Sequence, residues 1–238
     1  MRIGINASFA RKENTGIGQV TVNFLKELAK RSDLSRPQRL KEVRPLKNLE
    51  FVLYLEEDID LKLPNNFTKR IFLPLWKRDD LIRKIWWEKF LLPKKIKEDK
   101  CDVFISLYQC PTIICHPERS EGSQNLSGFF ANTQNDMRHI MIVHDIVPKL
   151  FPEYLNNSRK KIYWRQTEKA ISKADKIIAI SRRTEKDLIH HLGIAPEKIT
   201  VNYIDVGDIY KKEISDEASS NVLRKYNLKP GYIYSGGG

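Results

Sequence analysis

Ala174-Asp175-Lys176-Ile177-Ile178-Ala179-Ile180-Ser181, running straight into residues 182–193, decides the fold class. An isoleucine-rich run ends at a serine, and an amphipathic segment follows at once. Residues 176–180 read as a strand buried on both faces, since such strands are near-continuous apolar runs. Ser181 is placed to cap a helix over 182–192, with Glu185 in the first turn where a carboxylate meets the positive end of the helix dipole. Gly193 follows as the residue that ends it. His190 and His191 near that end are solvated or dipole-stabilising.

The same alternation extends both ways. Residues 3–7 read as a first strand, then a small-residue turn and a helix over 17–31 with Val20, Phe24, Leu25 and Leu28 at helical spacing. Further strands are expected at 51–55, 70–73, 103–107, 140–143, 199–203 and 232–235. Helices are expected at 79–97, 154–172 and 216–226. In the helix at 79–97, Ile82, Trp86 and Phe90 form one stripe. Its mixture of aromatic and basic residues suits packing on the sheet with lysines outward, or lying on a membrane surface. Strands alternating with helices predict an α/β fold: a Rossmann-like parallel sheet with helices on both faces. Ligands in such folds bind beyond the carboxyl ends of the strands, so functional residues are expected just after strands.

Two segments break the pattern. Residues 32–48 are basic and polar with two prolines. Residues 115–138 hold a loop insertion rich in Asn, Ser, Gly and Gln, long for a structureless loop in a compact domain. Its start, Cys115-His116-Pro117-Glu118-Arg119-Ser120-Glu121-Gly122-Ser123, resembles translated interspersed-repeat DNA. It reads as a tolerated insertion rather than a lid, with Cys115 and His116 incidental.

The chain has 238 residues, is 41% hydrophobic and 30% charged, and carries a formal net charge of +12. It can bury a core and stay soluble. No stretch reaches the roughly 18 consecutive apolar residues of a membrane span. The start lacks the apolar region and cleavage site of a signal peptide. Three cysteines with no zinc spacing fit a reduced cytoplasm, and no metal site is expected. The positive charge attracts phosphates of nucleotides, nucleic acid or an anionic leaflet. No nucleic-acid-binding motif accompanies it, so no nucleic-acid partner is expected.

Three places can carry chemistry. Asn14-Thr15-Gly16-Ile17-Gly18-Gln19 opens the first helix. Its glycines let a ligand approach the backbone, and the helix N-terminus suits a diphosphate. The competing reading is a tight turn needing small residues. Thr21 stands where the third small residue of a dinucleotide fingerprint belongs. His144-Asp145 ends a buried strand and faces a cleft. His144 can bond a sugar hydroxyl or act as acid or base. Asp145 can orient it, take a hydroxyl, or cap the next segment. Ser181 caps its helix or touches a ligand.

Together, Thr15-Gly16-Ile17-Gly18, then Val143-His144-Asp145-Ile146-Val147-Pro148 with Phe151-Pro152-Glu153, then residues 174–181 with Thr184 and Asp187-Leu188, resemble glycosyltransferase family 4, most like its mannosyltransferase-like members. Trp87-Glu88 with Leu91-Leu92-Pro93, and Asp102-Val103-Phe104-Ile105-Ser106, match its linking segments.

The resemblance implies the N-terminal half of a GT-B fold: residues 1–228 as an acceptor-side domain and 229–238 as the start of a donor domain. It implies a retaining hexosyltransferase using GDP-mannose or a UDP-sugar as co-substrate, with no cofactor or metal, and a glycan or lipid-linked acceptor. It maps the donor diphosphate onto Gly16, Ile17 and Gly18, and the transferred sugar onto His144. Asp205 stands where the family usually has a small residue, which leaves that turn's geometry open. Tyr232-Ile233-Tyr234-Ser235-Gly236-Gly237-Gly238 resembles the first strand and turn of the donor domain. The family's donor-phosphate residues lie beyond it, so the chain alone is expected to be inactive, with the other domain supplied by another chain. The setting implied is cytoplasmic, or peripheral at the inner membrane face. Competing readings are a vestigial, non-catalytic fragment, a nicotinamide-dependent oxidoreductase, and a basic module that binds an anionic membrane surface.

Overall fold

The computed structural model describes residues 1–32, 49–74, 81–114, 137–205 and 212–231. It divides into two compact units, Met1–Ile204 and Asp205–Gly238. In the first, β1 (Arg2–Asn6) leads through a 3₁₀ turn (Ser8–Arg11) to α1 (Gly16–Ser32). Then come β2 (Glu50–Leu55), β3 (Phe67–Ile71), α2 (Leu81–Trp86), a π turn (Trp87–Leu91), α3 (Leu92–Glu98) and β4 (Val103–Ser106). β5 (Arg138–Val143), α4 (Val147–Leu150), α5 (Ser158–Lys173), β6 (Lys176–Ala179), α6 (Arg182–Leu192) and β7 (Ile199–Val201) complete it. The second unit contains α7 (Asp216–Lys225), capped by Ser215. Predicted residues 232–235 lie outside the described residues, as do nearly all of the two irregular segments.

The seven strands form one parallel sheet in the order β3-β2-β1-β4-β5-β6-β7. The chain runs outward from β1 in one direction, returns to β4 beside β1, and runs outward in the other. The strand order reverses between β1 and β4, the place at whose carboxyl edge ligands bind in sheets of this kind. Strand alternation builds both cores. Ile3, Ile5, Leu53 and Val103 pack with Leu25 and Leu28 of α1 on one face. Val52, Tyr54 and Phe104 meet Trp87, Leu92 and Ile96 on the other, and Met141, Val143, Ile177 and Ala179 meet Trp164, Ala170 and Ile171 of α5. Helices therefore cover both faces, as the sequence predicts. Among the described residues no helix is long and apolar enough to cross a membrane.

Three expectations need correction. The third strand lies at Phe67–Ile71, not 70–73; Phe67 stacks on Phe51 with centroids 4.6 Å apart and fixes the register. The helix expected from 154 starts at Ser158, because the Asn157 side chain accepts the Lys160 N–H and caps it there. The stripe Ile82, Trp86 and Phe90 does not pack: these residues are 43, 45 and 49% exposed. Arg83, Trp87, Glu88, Leu92 and Ile96 turn inward instead. Trp87 stacks on Phe72, and its indole N–H donates to the Phe72 carbonyl at 2.9 Å. The π turn adds a residue to the helical register, and π turns recur at functional sites.

Candidate functional site

The carboxyl edge is built from the loops that follow β1, β4 and β5. After β1, Thr15 holds the glycine loop. Its hydroxyl donates to the Lys12 carbonyl at 2.9 Å and accepts the Gly18 N–H at 3.1 Å. A Cβ at Gly18 would stand 1.9 Å from the Lys12 carbonyl oxygen, so only glycine lets this turn close. A Cβ at Gly16 would meet nothing within 4 Å. Gly18 is thus explained by close packing, whereas Gly16 borders open space at the N-terminus of a 17-residue helix. Ile17 is half-buried beside it.

After β5, His144 is 9% exposed. Its Nε2 lies 3.0 Å from the Leu107 carbonyl. A carbonyl only accepts, so Nε2 carries the hydrogen and Nδ1 is the ring atom able to accept. Gln109, on the loop after β4, clamps this turn: its Oε1 accepts the His144 N–H at 3.1 Å and its Nε2 donates to the Asp145 carbonyl at 3.2 Å. Asp145 is exposed, and its Oδ1 accepts the N–H of Val147, the first residue of α4, at 3.1 Å. Ser181 accepts the Thr184 N–H at 3.0 Å and caps α6. The Thr184 hydroxyl in turn donates to the His144 carbonyl at 2.9 Å. Ser181, Thr184 and His144 therefore form one connected edge. The glycine loop follows β1, two strands away, roughly 10 Å by ordinary strand spacing.

The switch point itself holds residues that pattern reading passes over. Glu88, in the π turn, is 1% exposed and accepts from the Tyr108 hydroxyl at 2.5 Å and the Tyr163 hydroxyl at 2.9 Å. The Lys84 ammonium is 3.8 Å from Glu88 Oε1 and 4.6 Å from the Phe9 ring centroid. Burial raises the Glu88 carboxyl above its ordinary value, against the pull of Lys84 and the two hydroxyls. Tyr108 and Tyr163 are pushed well up by burial and then by the Glu88 charge. Tyr108 also joins the ends of β4 and β1, its hydroxyl 2.9 Å from Ser8 Oγ and 3.1 Å from Asn6 Nδ2. Only an isolated glutamate in a helix of aromatic and basic residues could have signalled this cluster. Cys110, fully buried nearby, has its thiol pushed up to about 11 by burial first and the Glu88 charge second. Among the described residues no three His, Cys, Asp or Glu side chains gather as a metal site would need.

Beside this cluster, a cavity of about 230 Å³ opens beyond β1 and β2. Arg11, Lys12 and Lys84 supply its cationic wall, Phe9 and Leu81 its apolar wall. Glu56 at its edge is buried, accepting from Arg83 at 2.5 Å and lying 3.2 Å from Arg11.

A doubly wound parallel sheet with a glycine-opened helix and a buried histidine turn at its carboxyl edge is a Rossmann-like α/β domain. The sequence matches Glycosyltransferase Family 4 over residues 15–203, and the chain belongs to that family. No curated protein matches it in sequence. Among solved structures, it is similar to Anabaena Alr3699/HepE in complex with UDP-glucose, at 14% identity and a TM-score of 0.50, over 95% of this chain and 49% of that one. The same Anabaena protein in complex with UDP gives 14% identity and a TM-score of 0.50, over 95% and 50% of the two chains. A glycosyltransferase from Rickettsia africae ESF-5 gives 13% identity and a TM-score of 0.45, over 97% and 50%. The chain thus spans about half the length of the structures it matches.

Proposed function

We propose that this chain is the acceptor-side half of a retaining glycosyltransferase that moves a hexose from a nucleotide-sugar to a glycan or lipid-linked acceptor. Family membership supports sugar transfer. The observation that carries the division of labour is the carboxyl edge: an open-faced Gly16 at a helix N-terminus for the donor diphosphate, and His144 for the transferred sugar. Nε2 is held by a carbonyl, so His144 offers Nδ1 to a sugar hydroxyl. Ile17 and Gly18 complete the loop, while Asp145 and Ser181 hold the edge in shape. The Anabaena protein was solved with UDP-glucose, which supports a nucleotide-sugar as donor. The mannosyltransferase-like motif order makes GDP-mannose the second donor to test. Most stabilisation of the departing diphosphate falls to a donor-side domain, so the 238 residues alone give no appreciable turnover.

The test is titration of the ¹⁵N-labelled chain with UDP-glucose and with GDP-mannose. One of them is expected to shift the Gly16, Ile17, Gly18 and His144 amides in a saturable way, at millimolar concentration. Shifts nowhere on this edge would favour a vestigial fragment, and robust transfer by the isolated chain would overturn the half-site reading.

The exposed ridge of Ile82, Trp86 and Phe90 favours a second, compatible reading. Lys89 and Lys94 flank it, and the chain is strongly cationic. Apolar residues rimmed by lysines suit the surface of an anionic leaflet. We propose peripheral attachment at the cytoplasmic face of a membrane through this ridge.

A further inference from the structure

We infer that Gln109 is a positioning residue for the transfer reaction: its side-chain amide takes the place of a peptide unit beside the β5 turn and so sets which nitrogen of His144 meets the sugar. The inference rests on the proposed role of His144 and adds to it the group that aims the ring.

The ladder explains why an amide is needed there. β4 pairs with β5 from Val103↔Arg138 to Ser106↔Met141, and stops two residues before β5 ends at Val143. On the other flank β6 stays paired to Val143↔Ala179, and the Ile180 N–H still donates to the Val143 carbonyl at 3.3 Å. The turn at His144-Asp145 therefore has backbone groups on its β4 side that the strand no longer meets, and such groups need partners. Gln109 supplies both bonds, accepting from the His144 N–H at 3.1 Å and donating to the Asp145 carbonyl at 3.2 Å. The amide can face only one way: an N–H only donates and a carbonyl only accepts, so Oε1 lies at His144 and Nε2 at Asp145. A glutamate of the same length would set a second acceptor against the Asp145 carbonyl.

The same short segment holds the ring. The Leu107 carbonyl, two residues before Gln109, takes the His144 Nε2–H at 3.0 Å. Leu107 is buried, and so is Tyr108, whose hydroxyl donates to Glu88, so the segment is a fixed jaw. From the opposite side the Thr184 hydroxyl donates to the His144 carbonyl at 2.9 Å. His144 is thus held at its N–H, its carbonyl and one ring nitrogen. The bond to Leu107 survives only while Gln109 keeps the turn against the jaw. A released ring would turn, or move its hydrogen to Nδ1 and present a donor where the sugar needs an acceptor. Holding the acceptor ready before the sugar arrives removes that ordering cost from binding.

The experiment reads the neutral His144 ring of the ¹⁵N-labelled 238-residue chain at alkaline pH by long-range ¹H–¹⁵N correlation. It then compares UDP-glucose with UDP, and GDP-mannose with GDP, by amide titration. The parent is expected to hold a single Nε2–H tautomer whose ring proton exchanges slowly. Gln109→Ala and Gln109→Glu should each lose that slow exchange. Each should also weaken binding of the nucleotide-sugar about fivefold, the worth of one hydrogen bond, and leave the free nucleotide unaffected. Should Gln109→Ala fail to fold, Gln109→Glu, which keeps the length and removes only the bond to Asp145, carries the test. A mixed tautomer in the parent, a slowly exchanging ring proton retained in a folded variant, or equal weakening of nucleotide and nucleotide-sugar would overturn the inference. The ring signal needs no ligand. A parent that shows the held ring and binds neither nucleotide-sugar would count against the transferase reading, while the ring signals of the variants still decide the role of Gln109.

Discussion

At the residue scale, Gly16 and Gly18 share a loop but not a role, and the pair separates binding from packing. Gly18→Ala drives a Cβ to within 1.9 Å of backbone that cannot rotate away, so about 1–3 kcal/mol of stability should be lost in urea denaturation. Gly16→Ala meets nothing, so stability should stay within about 0.5 kcal/mol while the donor-induced amide shifts fall. The opposite ranking would assign the ligand-facing role to Gly18. Glu88 makes a prediction in pH. Burial raises its carboxyl above the ordinary 4.5, so the folded chain holds that proton more tightly than the unfolded one. Its contribution is complete below about pH 4.5 and is lost as pH rises through the raised value. Glu88→Gln removes that loss, so its stability relative to the parent should climb with pH above 4.5 and then level. A flat difference from acid to neutral pH would mean that Lys84 and the tyrosines fully offset burial.

At the element scale, helix caps are more readable than helix faces. Ser181, Asn157 and Ser215 each accept a backbone N–H at the start of a helix. Ser181 is legible because a hydroxyl before an amphipathic run has few other uses. Asn157 is hidden, since Tyr154 and Leu155 extend the apolar period of its helix backward past it. Ser181→Ala should cost about 1 kcal/mol, leaving donor-induced shifts at His144 in place. Loss of those shifts at unchanged stability would make Ser181 a ligand contact. The segment at 81–98 shows the limit of periodicity. Ile82, Trp86 and Phe90 repeat every four residues, but so do Arg83 and Trp87, and the π turn rotates the residues after it. Spacing gives a stripe; it does not say which stripe meets the sheet.

At the scale of the whole molecule, the proposed membrane attachment combines a formal charge of +12 with an apolar ridge. Vesicles containing phosphatidylglycerol should bind the chain at about 10 mM salt and release it near 1 M, where the screening length falls from about 30 to 3 Å. Trp86→Ala combined with Phe90→Ala should weaken binding at low salt without altering the fold. Binding that ignores both salt and the double variant would place the attachment elsewhere.

The sequence by itself determined the parallel α/β class, because buried parallel strands must be apolar throughout and helices between them must be amphipathic. It also marked the glycine loop, His144 and Ser181, since each follows directly on a strand or opens a helix. Tertiary structure alone decided that the Asp145 carboxylate accepts the Val147 N–H, that the Lys12 carbonyl leaves no room for a Cβ at Gly18, and that Glu88 lies under two tyrosines beside a cavity lined by Arg11, Lys12 and Lys84. The Glu88 contacts join residues tens of positions apart, from elements brought side by side by the β1–β4 switch. No local pattern encodes that distance; only closing the sheet brings them together.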